Sequence, residues 1–218
     1  MGDTKRKLVR RLIATAGETY AKQSGIRLRN KPMPLFQLLA VAMLASKPIS
    51  ADTAAAAARQ LFKAGVRTPR AVIYGRRTTL IRAFGRAGYA RYDESSATRL
   101  SALARRVRDD FAGDLRNLPV RCGYDRDRSL AELQKFNGIG PTGANVFMRE
   151  VQAVWPWVRP HFDERALVAA GELGLPTVPR ELGELAPHSN AQLAAALARV
   201  SVDDDLRERI TRGHVAKV

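Results

Sequence analysis

Cysteine is nearly absent. Cys122 stands alone in 218 residues, which excludes an internal disulfide and any four-cysteine zinc or iron–sulfur site within the chain. Histidine is almost as scarce: His161, His188 and His214 are too scattered to form a ligand set, so no metal is expected on side chains. Long apolar runs are missing, and none approaches the roughly 18 uncharged residues that span a bilayer. The first residues, Met1 to Arg6, lack the apolar core of a secretory leader. These absences predict a cytoplasmic protein with no membrane partner, nucleoid-associated if bacterial. Aromatic residues make up only 6%, which disfavours the exposed stacking platforms of RNA-binding modules. Acidic residues are short as well, 21 Asp and Glu against 37 Lys and Arg, a formal net charge of +16. That imbalance is the footprint of a polyanion binder, without saying which polyanion.

What remains is 45% hydrophobic, enough for a sizeable core. Apolar residues recur at helical spacing and no alternating strand of useful length stands out, so the expected fold class is all-α. Helices are predicted over residues 7–22, 35–44, 51–63 behind an N-cap at Ser50, 69–74, 78–84, 95–111, 129–137, 163–171, 190–200 and 202–211. The nearly continuous hydrophobic run 35–44 marks a central buried helix. In 95–111, Leu100, Leu103, Val107 and Phe111 keep one apolar face while Arg99, Arg105, Arg106 and Arg108 fill much of the rest. Residues 119–128 read as a loop. The proline-interrupted connector 155–160 is a plausible domain boundary.

The most informative stretch is Leu133 to Val146. Gly138 suits the left-handed position just past a helix end, and Pro141 suits the first turn of the next helix. Ile139 between them would point inward and pin the turn. Backbone amides of Gly138, Gly140 and the residues after Pro141 can then converge on one anion. Ala144, Phe147 and Val151 continue as an apolar stripe for packing against Leu130 and Leu133. An ordinary tight turn between helices fits the same glycines, and the net charge weighs for the phosphate grip.

With these residues in place, the chain resembles the helix-hairpin-helix DNA glycosylases of the endonuclease III and adenine glycosylase superfamily. The resemblance covers about 140 residues, from Pro34 to Leu173. Its specific part is Gly138-Ile139-Gly140 with Ala144-Asn145-Val146, followed by Pro160-His161-Phe162-Asp163. It implies a six-helix barrel over residues 34–151 and a second helical domain from 1–33 with 152–218. It also implies a hairpin that binds a DNA phosphate through Gly138, Ile139, Gly140, Thr142 and Gly143, with a monovalent cation at the turn. An aspartate, here Asp163, would sit at the mouth of a cleft. Members that cut the sugar backbone carry a lysine where this chain has Thr142, so the Schiff-base nucleophile is missing. The family's four-cysteine iron–sulfur loop is missing as well. Asp163 follows Thr142 by 21 residues, a few more than is usual in the family.

The activity implied is a monofunctional DNA glycosylase of base-excision repair, acting as a monomer on duplex DNA with no organic cofactor. Hydrolysis of an N-glycosidic bond builds positive charge on the deoxyribose, and one carboxylate can stabilise it and activate water. Asp163 is the candidate, although a plain N-cap bonded to the amide of Arg165 or Ala166 explains the same residue without chemistry. A flipped base needs a wedge to fill its place in the stack. Lys47 and Ile49, in the loop after the buried helix, are the candidates, and Lys47 is equally suited to a phosphate contact. Phe36, Tyr89, Tyr92, Phe147, Trp155 and Trp157 suit a base pocket or the core. A hairpin protein that binds DNA without turnover is the reading from a different class.

Overall fold

The computed structural model describes residues 2–215, with side chains over 3–212. All regular secondary structure among the described residues is helical, without a strand, as the periodicity predicts. The helices are α1 (Gly2–Ala16), α2 (Tyr20–Gln23), α3 (Pro32–Ala45), α4 (Ala51–Lys63), α5 (Pro69–Tyr74), α6 (Arg77–Gly85), α7 (Asp93–Phe111), α8 (Asn117–Arg121), α9 (Arg126–Gln134), α10 (Pro141–Val151), α11 (Glu164–Glu172), α12 (Pro179–Glu184), α13 (Asn190–Val200) and α14 (Asp204–Val215). Two compact units result: Tyr20–Met148, and Met1–Thr19 with Arg149–Val218. The residues 20–33, expected with the terminal helices, belong to the first of these, and the division falls inside α10.

In the Tyr20–Met148 unit, α3 is buried on every face from Pro34 to Leu44. Leu35, Leu38, Leu39 and Leu44 are wholly enclosed, and each contributes roughly 1.5–3 kcal/mol by leaving water. Around it lie α2, α4 and α7. Alanines 54, 55, 57 and 58 let α4 approach closely, and Ser50 caps it by accepting the Thr53 N–H at 3.1 Å. The apolar face of α7 is buried from Ala97 to Phe111, and the helix stops at Ala112, whose left-handed φ of 53° turns the chain away.

The other unit closes on an apolar cluster that joins Leu8, Leu12, Ala166, Ala170, Leu193, Leu197 and Ile210. Here α13 packs on α1 and α11, its small Ala194 and Ala196 facing inward.

Several expectations need correction. The predicted helix 7–22 is two helices, because the backbone at Gly17 turns so sharply that an added Cβ would lie 2.5 Å from the Ile13 carbonyl oxygen. The first hairpin helix runs Arg126–Gln134 rather than 129–137. Asp125 caps it early by accepting the Arg128 N–H at 2.8 Å, and its last turn tightens as Lys135 and Phe136 bond to Glu132 and Leu133. The segment read as loop holds α8, and α12 carried no strong apolar pattern.

Candidate nucleic-acid interface

The hairpin is built by the tightened end of α9 and the start of α10. Gly138 sits at φ +89°, a conformation costly for any other residue. A Cβ there would also lie 2.8 Å from Cδ of Arg99, whose stem lies over the turn. Ile139 points inward and is 3% exposed, and its N–H is spent on the Phe136 carbonyl at 3.0 Å. Of the five residues expected to hold phosphate, Ile139 therefore pins the turn and offers no free amide. The N–H groups of Gly138, Gly140, Thr142 and Gly143 find no acceptor among the described residues. The first α10 hydrogen bond is Ala144 N–H to Gly140 O at 3.0 Å, so Thr142 and Gly143 occupy the unsatisfied first turn. An open groove lies over this arrangement, lined by residues 134–142 with Ser46 and Arg99.

Gly143 has a second duty. A Cβ on it would fall 2.1 Å from Ser46 Oγ and 3.1 Å from the Ala42 carbonyl oxygen, so glycine lets α10 press against the end of α3. A polar network fixes the other arm. Glu132, its side chain 8% exposed, binds Arg106 at 2.9 Å and Lys135 at 2.7 Å. Arg106 also donates to the Lys135 carbonyl and lies 4.9 Å from the Phe136 ring centre. Phe136 stacks on Phe111 at 5.7 Å. Burial alone would raise the Glu132 carboxyl, but Lys135, Arg121 and Arg106 outweigh it and hold the group below the usual carboxylate range.

The turn after α3 carries both wedge candidates. Lys47 Nζ lies 5.2 Å from the centre of the Tyr92 ring, while Ile49 is half-buried and donates its N–H to the Lys47 carbonyl at 2.8 Å. Of the six aromatics weighed for a base pocket, Phe36, Tyr89, Phe147 and Trp155 are buried in the core. Tyr92 and Trp157 keep partial exposure.

Asp163 lies in the unit formed by the termini. It caps α11, its Oδ1 accepting the Ala166 N–H at 3.2 Å, while Oδ2 accepts from Arg149 Nη1 at 2.6 Å. Both side chains are about 10% exposed. The connector is held by Gln152, which donates to the His161 carbonyl and accepts the His161 N–H, each at 2.9 Å. Both oxygens of Asp163 are thus engaged, one by a helix end and one by a guanidinium.

Sequence reasoning did not single out Arg149 or Gln152; it weighed Tyr92 only for a base pocket or the core and noted Arg99 only as part of a basic face. Arg149 left a signal in the α10 pattern, a charged residue directly after the buried Phe147 and Met148. Among the described residues no cluster of His, Cys, Asp or Glu suits a metal ion. The His214 side chain lies outside the described residues. No described helix is long and apolar enough to cross a membrane.

No family model matches the chain, and no curated protein does. Among solved structures it is similar to a trapped endonuclease III–DNA covalent intermediate, an estranged-adenine complex, with 19% identity, a TM-score of 0.48 and coverage of 89% of this chain and 85% of that one.

Proposed function

We propose that the chain is a monofunctional DNA glycosylase of base-excision repair. The observation that carries DNA binding is the hairpin, where the N–H groups of Gly138, Gly140 and Thr142, without acceptors among the described residues, border one groove and that of Gly143 follows in the same helix turn, in a protein of net charge +16. Such amides bind a phosphate oxygen with charge-assisted hydrogen bonds and read no sequence, so they hold the duplex in register at any base. The Asn137, Gly138 and Ile139 carbonyl oxygens accept no backbone hydrogen bond among the described residues and are hard donors that suit a monovalent cation. Such an ion would add positive charge beside the phosphate.

In the proposed chemistry the Asp163 carboxylate faces the sugar as the base leaves. Its capping bond to Ala166 fixes the carboxylate, and positive charge growing on the deoxyribose competes with Arg149 for Oδ2. The C1′–N bond breaks with its electron pair leaving on the base, a water gives a proton to the carboxylate as its oxygen bonds to C1′, and the departed base takes up a proton from solvent. Of the two wedge candidates, Lys47 is held against Tyr92, which leaves Ile49 as the residue to enter the stack. Thr142 offers no amine, so the abasic strand is left intact.

The Arg149 bond is also the observation that favours a second reading, a DNA-structure binder in which Asp163 only caps and pairs. One experiment separates the two. Duplexes each carrying one damaged or mismatched base are incubated with the protein, half of each sample is treated with alkali, and the rest with borohydride. Strand cleavage after alkali on one substrate, without a trapped complex, is the outcome expected of a monofunctional glycosylase. Binding to every duplex with no base release supports the second reading. A trapped covalent complex would show that another amine acts as nucleophile.

A further inference from the structure

Among the described residues, three cations from the turn after α3 and around the start of α7, Lys47, Arg91 and Arg99, have no carboxylate partner. Lys47 Nζ and the Arg91 guanidinium both approach the Tyr92 ring, at 5.2 and 5.6 Å from its centre. Arg99, on α7, lines the hairpin groove with Ser46, the residue before Lys47. Among the described residues no ion pair involves Lys47, Arg91 or Arg99, whereas Arg77, Arg106, Arg108, Arg116 and Arg121 in the same unit all have carboxylates. The nearby acids are committed elsewhere, Glu94 to Arg77 and Asp93 to the Glu94 N–H. Burial and the neighbouring Arg99 push the Lys47 ammonium below the usual lysine range. Tyr89, on which Arg99 also acts, is pushed up by burial and stays neutral.

Like charges held together, partly out of water and with no internal anion, are unfavourable until an external anion arrives. The backbone of Lys47 closes the end of α3 on the Leu44 carbonyl and the Arg99 stem packs over Gly138, but the Lys47 ammonium and the Arg99 guanidinium cap or close no element, so the fold does not account for the charges themselves. We infer that Lys47 and Arg99 form a second phosphate subsite, beside the hairpin amides, that takes a further phosphodiester of the same nucleic-acid strand. The inference rests on the hairpin reading above and adds to it a side-chain site. A strand is the ligand that fits, because it presents anions at fixed intervals to a groove that offers amides at the turn, Arg99 on its wall and Lys47 next to the lining residue Ser46. Tyr92 then serves as a support that holds the Lys47 stem extended, rather than as a base-stacking surface.

The test uses the full chain and an undamaged, fluorescently labelled duplex. Affinity is measured between about 50 and 200 mM salt, where counterion release dominates. The variants are Lys47→Gln, Arg99→Gln and the double variant, with Arg180→Gln as a charge-loss control on the exposed face of α12. Each single variant is expected to lower the slope of log affinity against log salt by about 1, and the double by about 2, while Arg180→Gln leaves it unchanged. Lys47→Arg and Arg99→Lys should restore the slope. Because the Arg99 stem packs over Gly138, Lys47→Gln and the charge-restoring Arg99→Lys distinguish lost contact from a disturbed turn. Wild-type slopes in folded Lys47→Gln and Arg99→Gln would overturn the subsite and leave the hairpin standing. A wild-type protein that fails to bind duplex at all would remove the hairpin reading and the subsite with it. Polyglutamate competing as well as unlabelled duplex would assign the cluster to acidic proteins and overturn the nucleic-acid assignment.

Discussion

Gly143 shows how a residue can serve two purposes that one sequence symbol does not separate. Its place just after Pro141 suggested an amide aimed at a phosphate. The structure adds a close approach, with an introduced Cβ only 2.1 Å from Ser46 Oγ. Gly143→Ala should therefore destabilise the chain by about 1–3 kcal/mol through overpacking, read as a lower midpoint in urea. Adding Ser46→Ala removes the nearest atom but leaves the Ala42 carbonyl at 3.1 Å, so the double variant should recover part of the loss. Equal stability of Gly143→Ala and wild type would show that α10 shifts freely off α3. Pairings of this sort were illegible in the sequence because Ser46 and Gly143 are almost a hundred positions apart. The left-handed Gly138 and inward Ile139 were legible, since their signals are local.

At the scale of the element, α9 and the turn after it depend on one carboxylate. Glu132 ties Arg106, Arg121 and Lys135 together below the hairpin, and those cations hold it ionised to lower pH than usual. A folded pKa below the unfolded value near 4.5 contributes stability above that value, which is lost as pH falls through the folded one. Glu132→Gln should cost about 1–2 kcal/mol at neutral pH. That is less than a fully buried pair would cost, since Arg121 and Lys135 are at least half exposed. The gap to wild type should close as pH drops below about 4.5. Thermal melts at pH 7 and below pH 4 measure this, and a gap that stays constant across that range would contradict the assigned charge. The end of α9 is where helix prediction slipped by three residues at each boundary, because Asp125 and the tightened last turn outweigh the apolar spacing. By contrast α4, α5 and α13 match prediction, as Ser50, Pro69 and a strong alanine-rich face leave little to tertiary context.

Across the whole molecule, binding and turnover should have different origins. Affinity for duplex draws on many charges, and one change away from the groups that contact phosphate alters it little against a net charge of +16. Turnover, on the proposed reading, rests on the single carboxylate of Asp163. Asp163→Asn keeps the side-chain size and can still cap α11, because Asn and Asp cap about equally well. It turns the Arg149 contact from an ion pair into a neutral hydrogen bond at a site only about 10% exposed, so a loss of about 1–3 kcal/mol in stability is expected. DNA affinity should remain within a few-fold of wild type, since Asp163 contributes no positive charge and none of the hairpin amides. Base release under single-turnover conditions should fall on the order of a hundredfold or more, the usual cost of removing one preorganised electrostatic group. Arg149→Gln completes the comparison: it also breaks the ion pair but leaves the carboxylate, so it should share the stability loss while retaining far more activity than Asp163→Asn. If the two variants lost activity equally while remaining folded and DNA-bound, the carboxylate would matter only as the partner of Arg149, and Asp163 would belong to the architecture rather than to the chemistry.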